Sequence, residues 1–350
     1  MPLNVVFYAT LFIIFTTLIP LIRHDFWIFR VFEYPRLQKL FLNGVLLVAA
    51  LFIIDYQHIN DLILLAAIVA NFVYLTRLVY PFTRLGEKQL IDSRFPPGEN
   101  NIKLLIANVY QENRQSRAYH QLIKECDPDV ILMVETNHWW QSKMDDIRAK
   151  YPYTLAAPLE NTYGLLLYSR LELLDGAINY LVEEDIPSAE VNVKLLSGKL
   201  IKLYCLHPQP PVPQENPRST ERDKEILIVA EKAKVSDIPV LVIGDLNDVA
   251  WSYTTDLFSK ISGLLDPRKG RGFFNSFNAK YFFLRFPLDH IFCSADFTLT
   301  SIKRMKSCGS DHFPMCISLQ YDDKATHLQD EPVATAEEKE LADEKITVET

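Results

Sequence analysis

Val240-Leu-Val-Ile-Gly244-Asp245-Leu-Asn247 is an apolar run that closes on a glycine, a carboxylate and an amide. Four apolar residues in succession, without alternation, describe a strand covered on both faces. Gly244 permits close backbone approach, and alternate positions send the side chains of Asp245 and Asn247 to one side of an extended segment. A second stretch, Ser310-Asp311-His312-Phe-Pro314, sets an acid and an imidazole just ahead of the strand-like run 315–319. Polar clusters so placed belong at the rim of a sheet.

Outward from these two stretches, strand-like runs recur at 102–109, 130–135, 163–168, 178–182, 190–195, 200–206 and 288–293, with Ser197-Gly198 as a hairpin turn. Helical spacing marks 119–126, 139–150 and 218–234. Runs of strands, rather than strict alternation with helices, predict an α/β fold over residues 101–321. Its architecture is a four-layer α/β sandwich, two packed β-sheets flanked by helices.

The chain has 350 residues, 49% of them hydrophobic, enough for a large core with apolar segments left over. Residues 322–350 hold ten acids against three lysines, net −7, so the rest carries −8 − (−7) = −1. Overall acidity therefore says little about the substrate, and the tail 322–350 reads as acidic and disordered. Five cysteines, Cys126, Cys205, Cys293, Cys308 and Cys316, show no CxxC spacing. They read as buried thiols in a reducing compartment rather than a zinc site or a disulfide framework.

Before the sandwich, residues 3–22 carry no charge, and at about 1.5 Å per residue they span the roughly 30 Å hydrocarbon layer. A signal peptide would show a basic start and a small-residue cleavage site, which are missing. Residues 40–54, and 62–75 continuing to 82, make two more apolar segments without a polar stripe. Residues 1–85 thus read as about three transmembrane helices, and the breaker-rich 86–100 as a linker. Arg23, Arg30, Arg36 and Lys39 follow the first segment, no lysine or arginine lies in 55–61, and Arg84, Lys88 and Arg94 follow the third. The positive-inside tendency then puts the sandwich in the cytoplasm. Transport is disfavoured, because no span has an ionisable residue near its centre.

Phosphoester hydrolysis needs neutralised phosphate oxygens, a positioned water and help for the leaving oxygen. Glu135 ends an apolar run and can face a cleft, although alone it would read as a surface acid. Asp289 and His312 pair as an imidazole with its orienting carboxylate, while His290 turns away as a structural neighbour. His207, ahead of the proline loop 208–213, is placed to protonate a leaving group; by itself it reads equally as a hydrogen-bonded loop histidine.

Taken in order, Asn108-Val, Glu135, His207, Gly244-Asp-Leu-Asn247, Asp289-His and Ser310-Asp-His312 resemble the motifs of the endonuclease/exonuclease/phosphatase superfamily. That fold is shared by the secreted deoxyribonuclease, abasic-site endonucleases, sphingomyelinases and inositol-polyphosphate phosphatases. The resemblance covers about residues 101–320 and is nearest to membrane-anchored bacterial members, including the Asp248-Val-Ala-Trp251-Ser and Gly270-Arg-Gly272 stretches. It implies a multi-pass protein of the cell inner membrane. It further implies Mg2+, with Mn2+ as the alternative, held by Glu135 with Asp311 as a second carboxylate and Asn108 as a metal-shell or phosphate contact. Asp245 would orient the water, Asn247 stabilise the pentacovalent state, and His312 contact phosphate with support from Asp289. His207 matches the histidine of the deoxyribonuclease and sphingomyelinase branches. Tyr110 stands where some members carry an acid, which leaves the metal count open.

Arg268-Lys269-Gly-Arg271 and Lys303-Arg-Met-Lys306 are short for a nucleic-acid backbone clamp, and Trp139, Trp140 and Trp251 could stack or simply pack. Tethering at a lipid bilayer raises the local concentration of a lipid headgroup. The expectation is a membrane-anchored, divalent-metal-dependent phosphoesterase acting on a phosphodiester or phosphomonoester by in-line water attack, with no obligate protein partner. A membrane-tethered nuclease and a non-catalytic phospholigand-binding adaptor are the alternatives.

Overall fold

Strands apolar on both faces need a covering layer on each side, and the computed structural model, which describes residues 3–348, supplies both. Leu3–Leu18 (α1), Trp27–Arg30 (α2), Arg36–Ile53 (α3) and Ile59–Val79 (α4) come first. Then follow Asn101–Asn108 (β1), Ser116–Cys126 (α5), Val130–Val134 (β2), His138–Met144 (α6), Tyr153–Ala157 (β3) and Leu165–Ser169 (β4). Glu172–Asn179 (β5), Ser188–Lys194 (β6), Leu200–Leu206 (β7), Thr220–Lys234 (α7), Val240–Asp245 (β8) and Tyr253–Ser262 (α8) continue the chain. Asp289–Cys293 (β9), Phe297–Arg304 (β10), Met315–Tyr321 (β11) and Ala336–Thr347 (α9) complete it.

One sheet has the order β10-β11-β1-β2-β4-β3 and the other β5-β6-β7-β8-β9. Side chains alternate between two dry layers, as the period of a strand requires. Leu104 and Ile106 of β1 point with Leu241 and Ile243 of β8 into the core between the sheets. Leu105 and Ala107 face α5 and α6 on one outer side, and Val240 and Val242 face α7 and α8 on the other. Two mixed sheets flanked by helices form the expected four-layer sandwich.

Leu3–Ile22, Arg36–Ile53 and Ile59–Phe82 are each long and apolar enough to cross a membrane. They pack as a bundle in which Asn43 and Asn71 pair, Asn71 Nδ2 donating to Asn43 Oδ1 at 2.8 Å. Residues 23–35, between the first and second spans, touch the sandwich: Phe26 bridges to Arg218, and the Trp27 amide donates to the Pro217 carbonyl at 2.8 Å. The contact is compatible with three spans, since two crossings between residues 23–35 and the sandwich return the chain to the same side.

Three expectations are corrected. The segment 86–100 is not a free linker. Leu90 is buried, Asp92 bridges to Leu299, and Ser93 donates to the Leu299 carbonyl. Nor is the tail disordered: α9 starts on a reciprocal capping box between Thr335 and Glu338 and docks Ala342 against α7 and α8. Residues 349–350 lie outside the described part. Finally, Cys126 at the end of α5 and Cys316 of β11 are bonded to each other, while Cys205, Cys293 and Cys308 are buried free thiols. A separation of 190 residues hid the pair from any reading of local spacing.

Candidate active site

In a sheet, the C-terminal end of one strand and the N-terminal start of its antiparallel neighbour lie at the same rim. β1 and β2 are parallel, so Asn108 and the residue after Val134, Glu135, reach that rim together. β11 runs antiparallel to β1 with Met315 opposite Ile106, which brings the preceding His312 to the same end. In the second sheet β7 and β8 are parallel, and β8 pairs antiparallel with β9 so that Asp245 faces Asp289. His207 follows β7. The two rims adjoin, and six sequence-distant polar stretches meet there.

Their hydrogen bonds form one network. Asn108 Nδ2 donates to Glu135 Oε1 at 2.6 Å and to Asp245 Oδ2 at 3.0 Å, joining the two sheets. Asp289 Oδ2 lies 2.8 Å from His312 Nδ1, and Asp245 Oδ2 lies 3.5 Å from His312 Nε2. Burial opposes charge on this imidazole, yet Asp245 and Asp289 outweigh it and hold the pKa up at about 10. Glu135 is in the opposite situation. Burial pushes its carboxyl up to about 7, with Asp245 and Asp311 adding to the rise against His312 and Asn108.

The cleft holds about 410 Å³ and is lined by Tyr110, Glu135, Asn247, Phe277, Asp311 and His312 together with Val31 and Tyr34. A second cavity of about 440 Å³, at the junction of α4 with the sandwich, contains none of these polar residues. Asp245, Asp289 and His312 offer ligand atoms within 4.8 Å of one another. Both ring nitrogens of His312 already face a carboxylate, Nδ1 that of Asp289 at 2.8 Å and Nε2 that of Asp245 at 3.5 Å, so this trio reads as a carboxylate-held histidine. Glu135, Asp245, Asp311 and the Asn108 amide oxygen instead supply hard oxygen donors, a donor set that fits a divalent cation.

Two sequence readings of the site change. Asp245 and Asn247 do not project side by side from an extended strand. Asn247 turns left-handed at φ 50°, its amide N–H donates to Asp245 Oδ1 at 3.0 Å, and its side chain donates to the Pro208 carbonyl at 3.0 Å. His207 is not a charged acid, because burial lowers its pKa to about 4, and its Nδ1 has no partner among the described residues. A neutral imidazole can still donate one N–H. His290 is structural: Arg268 donates toward its Nδ1 at 2.8 Å and its Nε2 meets the Asp248 carbonyl at 2.8 Å.

Tyr34 was not among the residues singled out from the sequence. Its hydroxyl donates to the Asn247 carbonyl at 2.7 Å, so the connection between the first two apolar helices forms part of the cleft wall. Only its position in an aromatic, basic stretch after a span hinted at such a role.

Two packed sheets with an acid, amide and imidazole network at their joined rims define the architecture of the deoxyribonuclease-like hydrolases. The sequence profile of the Endonuclease/Exonuclease/phosphatase family matches residues 102–312, and the chain belongs to that family. Its members are typically phosphoester hydrolases. No curated protein matches the sequence. The fold is similar to that of D. rerio TDP2 complexed with single strand DNA product, with TM-score 0.53, 17% identity and coverage of 63% of this chain and 99% of that one. An endonuclease/exonuclease/phosphatase from Bacteroides vulgatus gives TM-score 0.51 at 17% identity, covering 63% and 99% of the two chains.

Proposed function

We propose that the protein is a membrane-anchored phosphoester hydrolase that uses Mg2+, or Mn2+ in its place. The observation that carries this reading is the Asn108 amide bridging Glu135 and Asp245 across the joined sheets, with His312 held charged beside them. Glu135, Asp311 and Asn108 would hold the cation, which when bound supplies Lewis-acid neutralisation of the phosphate oxygens. Asp245 accepts a proton from, and aims, the attacking water. Asp289 fixes the His312 ring so that its Nε2–H meets a phosphate oxygen, and His207 offers a neutral N–H to the leaving oxygen. Asn247 stands at the cleft wall to stabilise the crowded phosphorus. A phospholigand adaptor would have no use for a water-aiming acid and a buried imidazolium together.

The test is hydrolysis of an aryl phosphodiester, an aryl phosphomonoester, phospholipid micelles and plasmid DNA by the detergent-solubilised full chain, with Mg2+ or EDTA. Turnover that needs the metal and disappears in Asp245→Ala and His312→Ala supports the reading. Nicking of plasmid alone would favour a nuclease, the activity suggested by the DNA product in the TDP2 complex, and no turnover at all would favour the adaptor.

We place the sandwich on the cytoplasmic face of the inner membrane, as the lysine and arginine distribution directs. The Cys126–Cys316 bond pulls the other way, toward an oxidising compartment. A fluorescent-protein fusion at the C-terminus is expected to mature; an active alkaline phosphatase fusion there would reverse the assignment.

A further inference from the structure

Tyr281, Phe282, Phe283 and Leu284 are all exposed, Phe283 to 80%, although they lie in the sandwich rather than in a span. Four successive large apolar side chains in water are costly, roughly 25 cal/mol for each Å² left uncovered. The segment is not a loose excursion. The Asn278 amide donates to the Leu284 carbonyl at 3.1 Å and the Leu284 amide to the Tyr281 carbonyl at 3.2 Å, which closes a tight loop. Its base adjoins the cleft: Ala279 N donates to the Asp311 carbonyl at 2.6 Å, and Lys280 Nζ sits 4.4 Å over the Tyr110 ring.

Its tip is tied to the membrane anchor. Gln38 Nε2, in the first turn of α3, donates to the Phe283 carbonyl at 2.9 Å. Phe41, exposed on α3, is one helical turn further into the span, about 4.5 Å along the axis. The loop therefore stands at the level where α3 enters the apolar layer. Lys280 and Arg285 flank the aromatics, and the Arg285 guanidinium stacks at 5.0 Å on the Phe282 ring. Aromatic rings between basic residues suit the headgroup boundary, where rings meet acyl chains and cations meet phosphate.

We propose that residues 281–284 enter the bilayer interface beside the cleft, and that the phosphoester hydrolysed is that of a membrane lipid presented from the bilayer. The second half rests on the hydrolase reading above; the first half does not. Val31 and Tyr34 line the cleft on the anchor side and Phe277, just ahead of the loop, lines it as well, while residues 281–284 stand beside the lining rather than in it. A headgroup drawn from the adjoining leaflet reaches Glu135 and His312 without the lipid leaving the membrane, whereas a polymer in solution meets the bilayer as an obstacle.

The full chain in nanodiscs with and without brominated phosphatidylcholine tests the loop directly. Phe283→Trp is expected to add a blue-shifted emission that bromine quenches, over the background of the parent's own tryptophans. An added emission typical of water and untouched by bromine overturns the insertion. Phe282→Ser/Phe283→Ser is expected to lose roughly tenfold in turnover of phospholipid in vesicles while keeping turnover of a soluble aryl phosphodiester within about twofold. Equal losses on both substrates, or none on vesicles, overturn the lipid substrate. A parent inactive on both substrates sinks the hydrolase reading and with it the lipid substrate, while the quenching result still decides where the loop lies.

Discussion

His312 keeps its charge inside the protein because two carboxylates, Asp245 and Asp289, outweigh the cost of burying it. Asp289→Asn removes one of them and leaves the ring without its orienting acceptor. Turnover of an aryl phosphodiester should fall by about 10²–10³-fold with near-UV circular dichroism unchanged. Four cleft residues also hold backbones that L side chains rarely adopt: Tyr110 at φ 58°, Glu135 at φ 57°, Thr162 at φ 73° and Asn247 at φ 50°. Each conformation costs about 1 kcal/mol or more, and their concentration at one rim marks it as the place where the fold accepts strain to aim side chains. Glu225 carries a different cost. It is buried on α7 with Oε1 unpartnered among the described residues, and burial, aided by Glu183, pushes its pKa up to about 8. The unfolded chain ionises this carboxyl near pH 4.3 while the fold keeps it protonated. Stability is thus full below that pH and lost as pH rises toward 8. Glu225→Gln should stabilise by about 1–3 kcal/mol at pH 8 and by little at pH 4.5, measured as the difference in thermal unfolding across that range.

At the scale of elements, α9 shows how charge can hold a segment as well as disperse it. Its outer face is acidic, but Lys345 turns inward, donating to Asp25 Oδ1 at 2.7 Å and to Asp223 Oδ2 at 3.0 Å. Asp223 is buried, and despite that burial Arg222 and Lys345 hold its carboxyl well below the usual range. Lys345→Ala leaves that carboxylate with less compensation and should cost about 2–4 kcal/mol in denaturant unfolding, with α9 becoming the first site of proteolysis. Composition alone could not show this, since counted acids say nothing of one inward lysine; the Thr335 and Glu338 capping pair was the legible signal. The strands follow a similar rule. Central β1, β2, β7, β8 and β11 were readable because both faces are largely buried and the sequence is mostly apolar, with polar exceptions such as Lys103 and Lys202. β3 and β10 escaped, and β5 was read from residue 178 rather than Glu172, because all three are edge strands that mix exposed and covered positions. The polar residues closing the central strands were legible for the same reason that those strands were. Tyr34 was not, since nothing local distinguishes a tyrosine that crosses to Asn247 from one that sits at the lipid boundary.

Across the whole molecule, anchor and sandwich are joined by a buried charge network rather than by a tether. Arg30, Arg36, Arg222 and Lys345 face Asp25, Glu33, Asp223 and Asp248, four cations against four anions. Arg36 also donates to the Trp251 carbonyl, and Trp251 Nε1 donates to the Glu33 carbonyl at 2.9 Å. The Asp248-Val-Ala-Trp251-Ser and Gly270-Arg-Gly272 stretches are the sandwich's side of this junction: Gly270 donates to the Pro81 carbonyl, and a Cβ there would meet Lys88 N at 2.6 Å. Cleft geometry is therefore coupled to the anchor through Asn247, whose carbonyl accepts from Tyr34 of the anchor and from Arg222 at 2.8 Å. Tyr34→Phe deletes one of two hydrogen bonds at that carbonyl, worth about 1 kcal/mol of stability, and should lower the melting temperature by only about 2–4 °C while lowering kcat about fivefold. A chain starting at residue 101 loses Tyr34 together with Glu33 and Arg36, leaving Trp251, Phe286 and Leu288 uncovered on one side. It should unfold at lower temperature than the full chain as well as turn over more slowly. If the shortened chain matched the full one in both melting temperature and kcat on a soluble aryl phosphodiester, the anchor would be a passive tether and the Tyr34 contact would have no part in setting the site.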